Sequence, residues 1–184
     1  MALCLNTNAA YKDFQMLAQD PYFVDKTAII EKINERIKRK NRFLCITKPR
    51  RFGKTSIMNM LGAYYGKAYP SEALFAGLQI SESKSYLTHL NQYNLISFSM
   101  NDLPEEKNTY QDYIGQFGAE LRNDMIEAYP ELDGKEFSSL SKLLTATGDE
   151  FIFIIDEWDY IFSHDLYREN HGDFLEFIRD LLKG

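Results

Sequence analysis

Apolar residues recur along this chain with two different periods, and the switching between them sets the expected architecture. Ile29, Ile30, Ile33 and Ile37 lie three or four apart and predict a helix from an Asp25 cap to about Lys40, with Val24 placed to staple against Ile29. Residues 43–47 are instead short, apolar and soon followed by Pro49, the pattern of a buried parallel strand. Ile57, Met60, Leu61, Tyr64 and Tyr65 then form the stripe of a helix that starts near Gly53 and finds a C-terminal cap in Gly66.

Residues 69–94 carry a mixed pattern, with a weak helix over 84–92 and a short extended piece at 78–80. Residues 95–100 alternate apolar with small polar side chains and predict a strand, followed by a loop over 101–108. Tyr110, Tyr113, Ile114, Phe117, Leu121 and Met125 mark a long helix that Tyr129-Pro130 ends. Phe137, Leu140, Leu143 and Leu144 mark a shorter one, which Gly148 breaks before a strand over 151–155. Phe174, Leu175, Phe177, Ile178, Leu181 and Leu182 mark a last helix. Strands alternating with helices predict an α/β fold, a parallel sheet with helices on both faces and a ligand site at the carboxyl ends of the strands. No repeat or linker divides residues 1–184, so one domain is expected, with 1–24 as an N-terminal extension.

Composition narrows the classes. At 184 residues and 45% hydrophobic, the chain can bury one sizeable core. Its longest apolar stretches are far short of the roughly 20 residues a bilayer helix needs, and the first residues lack a signal peptide's basic start, so a cytoplasmic protein without membrane contact is expected. Cys4 and Cys45 form neither a disulfide framework nor a zinc spacing and read as free thiols. The net charge of -6 is unevenly placed: residues 32–54 hold ten basic side chains against Glu35 alone, leaving the rest of the chain strongly acidic. Lys32, Arg36, Lys38, Arg39 and Lys40 read as the solvated face of a helix, while a polyphosphate would meet a positive field across the whole stretch. General affinity for nucleic acid is not expected of so acidic a chain.

The candidate chemistry lies at two strand ends. Lys48-Pro49-Arg50-Arg51-Phe52-Gly53-Lys54-Thr55 joins the expected strand to the helix after it, as a phosphate-binding loop does. A Gly-Lys-Thr triplet by itself is a weak signal, but about a hundred residues later an apolar strand ends in Asp156 and Glu157, the adjacent carboxylates of an Mg-nucleotide site. Residues Lys48, Pro49, Arg50, Arg51, Phe52, Gly53, Lys54, Thr55 and Ser56 are therefore the candidate phosphate contacts. Lys54 would bridge the β- and γ-phosphates of ATP, the Thr55 hydroxyl would ligate Mg²⁺, Asp156 would hold the metal, and Glu157 would act as general base toward water. Arg50 and Arg51 serve equally well as γ-phosphate partners or as partners of surface acids. For Trp158, Asp159 and Tyr160 packing is favoured over catalysis, and His89, His164 and His171 take no role.

Tyr22-Phe23-Val24-Asp25-Lys26-Thr27, Thr47-Lys48-Pro49-Arg50-Arg51-Phe52-Gly53-Lys54-Thr55 and Ile154-Ile155-Asp156-Glu157-Trp158-Asp159 together resemble the bacterial AAA-ATPase-like family. The likeness covers roughly residues 11–184. It implies a three-layer P-loop NTPase-like sheet, ATP and Mg²⁺ as ligands, Lys54 and Thr55 in the Walker A role, and Asp156 and Glu157 in the Walker B role. Family members commonly carry a C-terminal nuclease-like domain of the PD-(D/E)XK type, and only through that context does nucleic acid enter as a partner. Two departures stand out. Lys48 occupies the place of the general motif's first glycine. P-loop ATPases of this kind usually order five strands 5-1-4-3-2, whereas only three are legible here, so the sheet is expected to be incomplete. A longer chain, a different pairing or a second copy of the chain would complete it. Three functions fit: an ATPase, a nucleotide-gated interaction module with little turnover, and, less well, a small-molecule phosphotransferase, for which no arginine-rich lid is recognisable.

Overall fold

The computed structural model describes residues 3–47, 49, 51–101 and 109–183. They form an α/β structure whose contacts divide into two compact units, Asn6–Leu95 and Ile96–Gly184 with Met1–Leu5. The N-terminal unit contains α1 (Ala9–Ala18), α2 (Ala28–Asn34), α3 (Lys54–Tyr65), α4 (Glu72–Phe75) and α5 (Tyr86–His89). Strand β1 (Asn94–Ser99) carries the chain into the C-terminal unit, which holds α6 (Tyr110–Ala128), α7 (Leu140–Ala146), β2 (Phe151–Asp156), α8 (Tyr160–Ser163) and α9 (His171–Leu181).

In the N-terminal unit α1 packs along α3, and the expected stripe Ile57, Met60, Leu61, Tyr64 and Tyr65 is buried throughout. Phe14 of α1 stacks on Phe75 of α4 at 4.9 Å, and Tyr64 meets Phe75 edge-on at 5.4 Å. Buried tyrosines need partners for their hydroxyls. Asn34, at the end of α2, supplies them, donating to the Tyr64 oxygen at 3.2 Å and accepting from Tyr65 at 2.7 Å, while Tyr64 itself donates to the carbonyl of Tyr86 at 2.7 Å. Gly66 follows α3 in an extended conformation, close enough to the carbonyl of Gly62 that a side chain would lie 2.9 Å from it. The open carbonyls of the helix end are capped from outside instead: the Asn91 amide donates to Gly66 at 2.7 Å and to Ala63 at 3.3 Å.

Several expectations in this unit are corrected, among them the short extended piece at 78–80, where Gln79–Glu82 instead form a 3₁₀ turn. Helix α2 stops at Asn34 rather than near Lys40, and turns follow it, with Lys38 left-handed at φ 61°. Lys32, Arg36, Lys38, Arg39 and Lys40 repel one another at helical spacing and offer nothing to bury, so the helix has no reason to continue. Val24 is 67% exposed and makes no staple. Residues 43–47 form no strand, with Phe43 and Leu44 at 58% and 43% exposure and Cys45 exposed as well. An apolar run becomes a strand only where a neighbouring strand takes its backbone N–H and C=O groups, and among the described residues none does. Helix α1 carries little apolar signal in sequence, since three of its ten residues are alanine.

The C-terminal unit is built on β1 and β2, which pair in parallel as a two-stranded sheet. Leu5 forms an antiparallel bridge to Ile96, and the N–H of Ser97 donates to the carbonyl of Cys4 at 2.9 Å. Against this sheet pack Phe117 and Leu121 of α6, Leu143 and Leu144 of α7 and Leu181 of α9, with Phe98 and Phe117 only 4.3 Å apart. Thr109 caps α6, accepting from the N–H of Asp112 at 3.1 Å, and Ser139 caps α7. Among the described residues no helix is long and apolar enough to cross a membrane.

Among the described residues the most deeply buried acid holds residues 3–5 in place. Asp124 of α6, only 5% exposed, accepts from the N–H groups of Leu3, Cys4 and Leu5 at 2.6–3.0 Å. Replacing it with alanine would leave buried donors unpaired, and Asp124→Ala is expected to lower stability by about 3 kcal/mol in urea unfolding. Burial, with the Asp124 and Glu120 charges beside it, pushes the Cys4 thiol up from 9.0 to about 12. A raised value means that the fold holds the neutral thiol: its contribution is complete below about pH 9 and fades as pH climbs toward 12. At pH 8 iodoacetamide is expected to label exposed Cys45 and spare Cys4 until urea unfolds the chain, as peptide mass mapping would read.

Candidate functional site

The loop half of the site belongs to the N-terminal unit. Lys48 and Arg50 lie outside the described residues. Around them Pro49, Arg51 and Phe52 are exposed, and the N–H of Phe52 donates to the carbonyl of Pro49 at 3.3 Å. Arg51 and Gly53 are both left-handed, at φ 66° and 77°, and between them they turn the chain so that α3 begins at Lys54. Gly53 caps with no side chain, and the first ladder bond runs from the N–H of Ile57 to the carbonyl of Gly53 at 3.1 Å. The N–H groups of Lys54, Thr55 and Ser56 therefore point away from the helix, where its dipole favours negative charge. Lys54 and Ser56 are half-buried there and Thr55 is exposed.

A residue without a role in the sequence reading stands beside this turn. A Cβ on Gly53 would lie 3.5 Å from the Lys26 ammonium. The neighbours of Lys26 are pinned: Asp25 accepts from the N–H of Thr27 at 2.8 Å, from its hydroxyl at 2.7 Å and from the N–H of Gln79 at 2.7 Å. Thr27, fully buried, accepts in turn from the N–H of Ile80 at 3.1 Å. Burial raises the Asp25 carboxyl, but the hydrogen bonds from Gln79 and Thr27 outweigh it and hold the group below its usual range. A cavity of about 280 Å³ opens alongside, lined by Tyr22, Val24 and Lys26 and by Ser56, Ile57 and Met60 of α3. No periodic signal marks Lys26; the fixed conformation of Asp25 and Thr27 does.

The carboxylate half belongs to the C-terminal unit. Five apolar residues carry β2 to Asp156, whose carbonyl accepts from the N–H of Met100 at 3.0 Å, just past the end of β1. The chain then turns through Glu157 at φ 47°, a left-handed conformation that a glutamate rarely adopts. The N–H of Glu157 donates to Asp156 Oδ1 at 2.9 Å, and its carbonyl accepts from Tyr160 at 2.8 Å to open α8. Both carboxylates are half-buried. Trp158 packs edge-on against Phe162 at 5.6 Å and Tyr160 stacks on Tyr113 at 6.0 Å.

Among the described residues no cluster of three or more His, Cys, Asp and Glu side chains could hold a metal ion by itself. A nucleotide's magnesium asks for less, since it takes most of its ligands from phosphates and water and one or two from the protein. The Thr55 hydroxyl in the N-terminal unit and the Asp156 carboxylate in the C-terminal unit are each hard oxygen donors, the kind that magnesium takes.

A family model described as predicted AAA-ATPase matches residues 9–184. The chain belongs to that family. No curated protein and no solved structure matches it. Membership in the AAA-ATPase family brings nucleotide use in general, and the matched span contains both the Gly53–Lys54–Thr55 turn and the Asp156–Glu157 pair.

The left-handed turn makes a testable demand on Gly53. A Cβ there is strained, whereas Gly115 in α6 has ordinary helical geometry and open space around it. Gly53→Ala is expected to destabilise by about 1 kcal/mol and Gly115→Ala to stabilise by about 0.5 kcal/mol, opposite signs that denaturant unfolding resolves.

Proposed function

We propose that this AAA-ATPase family member binds ATP at the start of α3 and hydrolyses it. One observation carries the reading: Lys54 is the first residue of a long buried helix, behind the left-handed Arg51 and Gly53, with the N–H groups of the first turn outside the helix ladder. That arrangement presents aligned donors, a helix dipole and a flexible cation to one anion, which suits a phosphate chain. The loop residues Pro49, Arg51, Phe52, Gly53 and Ser56, with Lys48 and Arg50, would surround the phosphates, and Lys54 would neutralise the β- and γ-groups. Bound magnesium would supply further neutralisation of phosphate charge, held by Thr55 and Asp156. Glu157 would take the proton of the water that attacks the γ-phosphorus, as the bond to the β-phosphate oxygen breaks and ADP and phosphate form.

Glu157 supports this role through its backbone. A left-handed glutamate is strained, and strain of this kind gathers where a side chain must be aimed. The reading further includes a three-layer P-loop sheet completed by strands from a longer chain or a second copy, a cytoplasmic setting, and nucleic acid as a partner only through an attached nuclease-like domain.

The decisive measurement compares Mg-ATP binding by calorimetry with phosphate release for wild type, Lys54→Ala and Glu157→Gln. Lys54→Ala is expected to weaken binding tenfold or more, by roughly the worth of a charge-assisted contact. Glu157→Gln is expected to keep binding and lose about 10²–10³-fold in turnover. Tight binding without phosphate release in wild type would instead mark a nucleotide-gated interaction module, and no binding at all would end both readings.

A further inference from the structure

We infer that Lys26 is a second phosphate-contacting cation of this site, held in place by the hydrogen-bonded pair on either side of it. The inference rests on the proposed nucleotide reading of the α3 turn and adds a ligand contact that the loop motif does not contain. Its first support is position. The Lys26 ammonium stands over Gly53, 3.5 Å from where a side chain would begin, and so beside the N–H groups at the start of α3. Its second is the lack of a competing partner: among the described residues no carboxylate pairs with Lys26, although the chain as a whole is acidic.

The third support is the local backbone. A lysine on an exposed surface normally samples many positions, and fixing it costs side-chain entropy. Here the chain on both sides is immobilised, by Asp25 binding Thr27 and Gln79 and by Thr27 binding Ile80. These bonds tie residues 25–27 to Gln79 and Ile80 and so fix the backbone from which the exposed Lys26 side chain springs. As the anchor of a cation they have a purpose: they set the root of the side chain, leaving its tip to meet a ligand on the loop. The cavity beside it shares both Lys26 and Ser56 with the phosphate turn, so a nucleotide held by its phosphates would pass this ammonium.

The test uses calorimetric titration of the full chain with Mg-ATP and, separately, with inorganic tripolyphosphate. Lys26→Ala is expected to weaken both about tenfold while leaving the urea midpoint unchanged, and Lys26→Arg to recover most of the loss. Thr27→Ala should lower stability and binding together, but cost no further binding when added to Lys26→Ala, because the two act as one unit. Unchanged binding in Lys26→Ala, alongside lost binding in Lys54→Ala, would overturn this inference and leave the loop reading intact. Failure of wild type to bind either probe would overturn the loop reading first and this one with it.

Discussion

The seat of α3 is the constraint on which the loop half of the site depends. A helix can aim its positive end at a ligand only if its other end cannot move. Tyr64 and Tyr65, almost wholly buried, hold that end through Phe75, Asn34 and the Tyr86 carbonyl. Hydrophobic burial supplies the free energy and the hydroxyl network supplies the direction, since Tyr64 must both accept from Asn34 and donate to the Tyr86 carbonyl while Tyr65 donates to Asn34. Asn91 then takes the carbonyls that a glycine cap would otherwise have to turn away. The opposite end is left uncapped by any side chain, an asymmetry that suits a helix whose first turn is reserved for something else.

The carboxylate half obeys a different constraint. β2 is short and its apolar residues are shared between the sheet and the helices α6, α7 and α9, so Asp156 falls where burial stops. Directly after it the backbone takes the left-handed turn at Glu157, and the Asp156 side chain receives the N–H of that same residue. Asp156 closes the strand and Glu157 opens the turn, which adds a fixed anchor through Tyr160 that an ordinary strand end lacks.

How much of this was legible depends on whether the signal is local. The stripes of α3, α6 and α9 were readable because a helix satisfies its own backbone and needs only one apolar face. Strands β1 and β2 were readable for their composition, yet residues 43–47 have the same composition and form no strand. Strand formation is a property of a pair, and the missing neighbour is not written in the segment itself. Helix α2 stops at Asn34 because repulsion along the basic run outweighs the isoleucine spacing. At the site, the Gly-Lys-Thr turn and the acid pair were visible as motifs. The left-handed Arg51 and Glu157 were not, because nothing but glycine or asparagine announces that conformation in sequence. Lys26 stood in the family-like string from Tyr22 to Thr27, but its place beside the turn was not legible, because it depends on Gln79 and Ile80, more than fifty residues away.

The clasp between Asp124 and residues 3–5 bears on the order in which a ribosome could deliver a finished structure. Residues 3–5 are synthesised well before the aspartate that holds them, since the contacts span about 120 positions. The segment Asn6–Leu95 can condense while synthesis continues, but residues 3–5 must wait for Ile96 and then for Asp124. Slower translation between Ile96 and Asp124 would lengthen that wait without touching any contact of the finished fold.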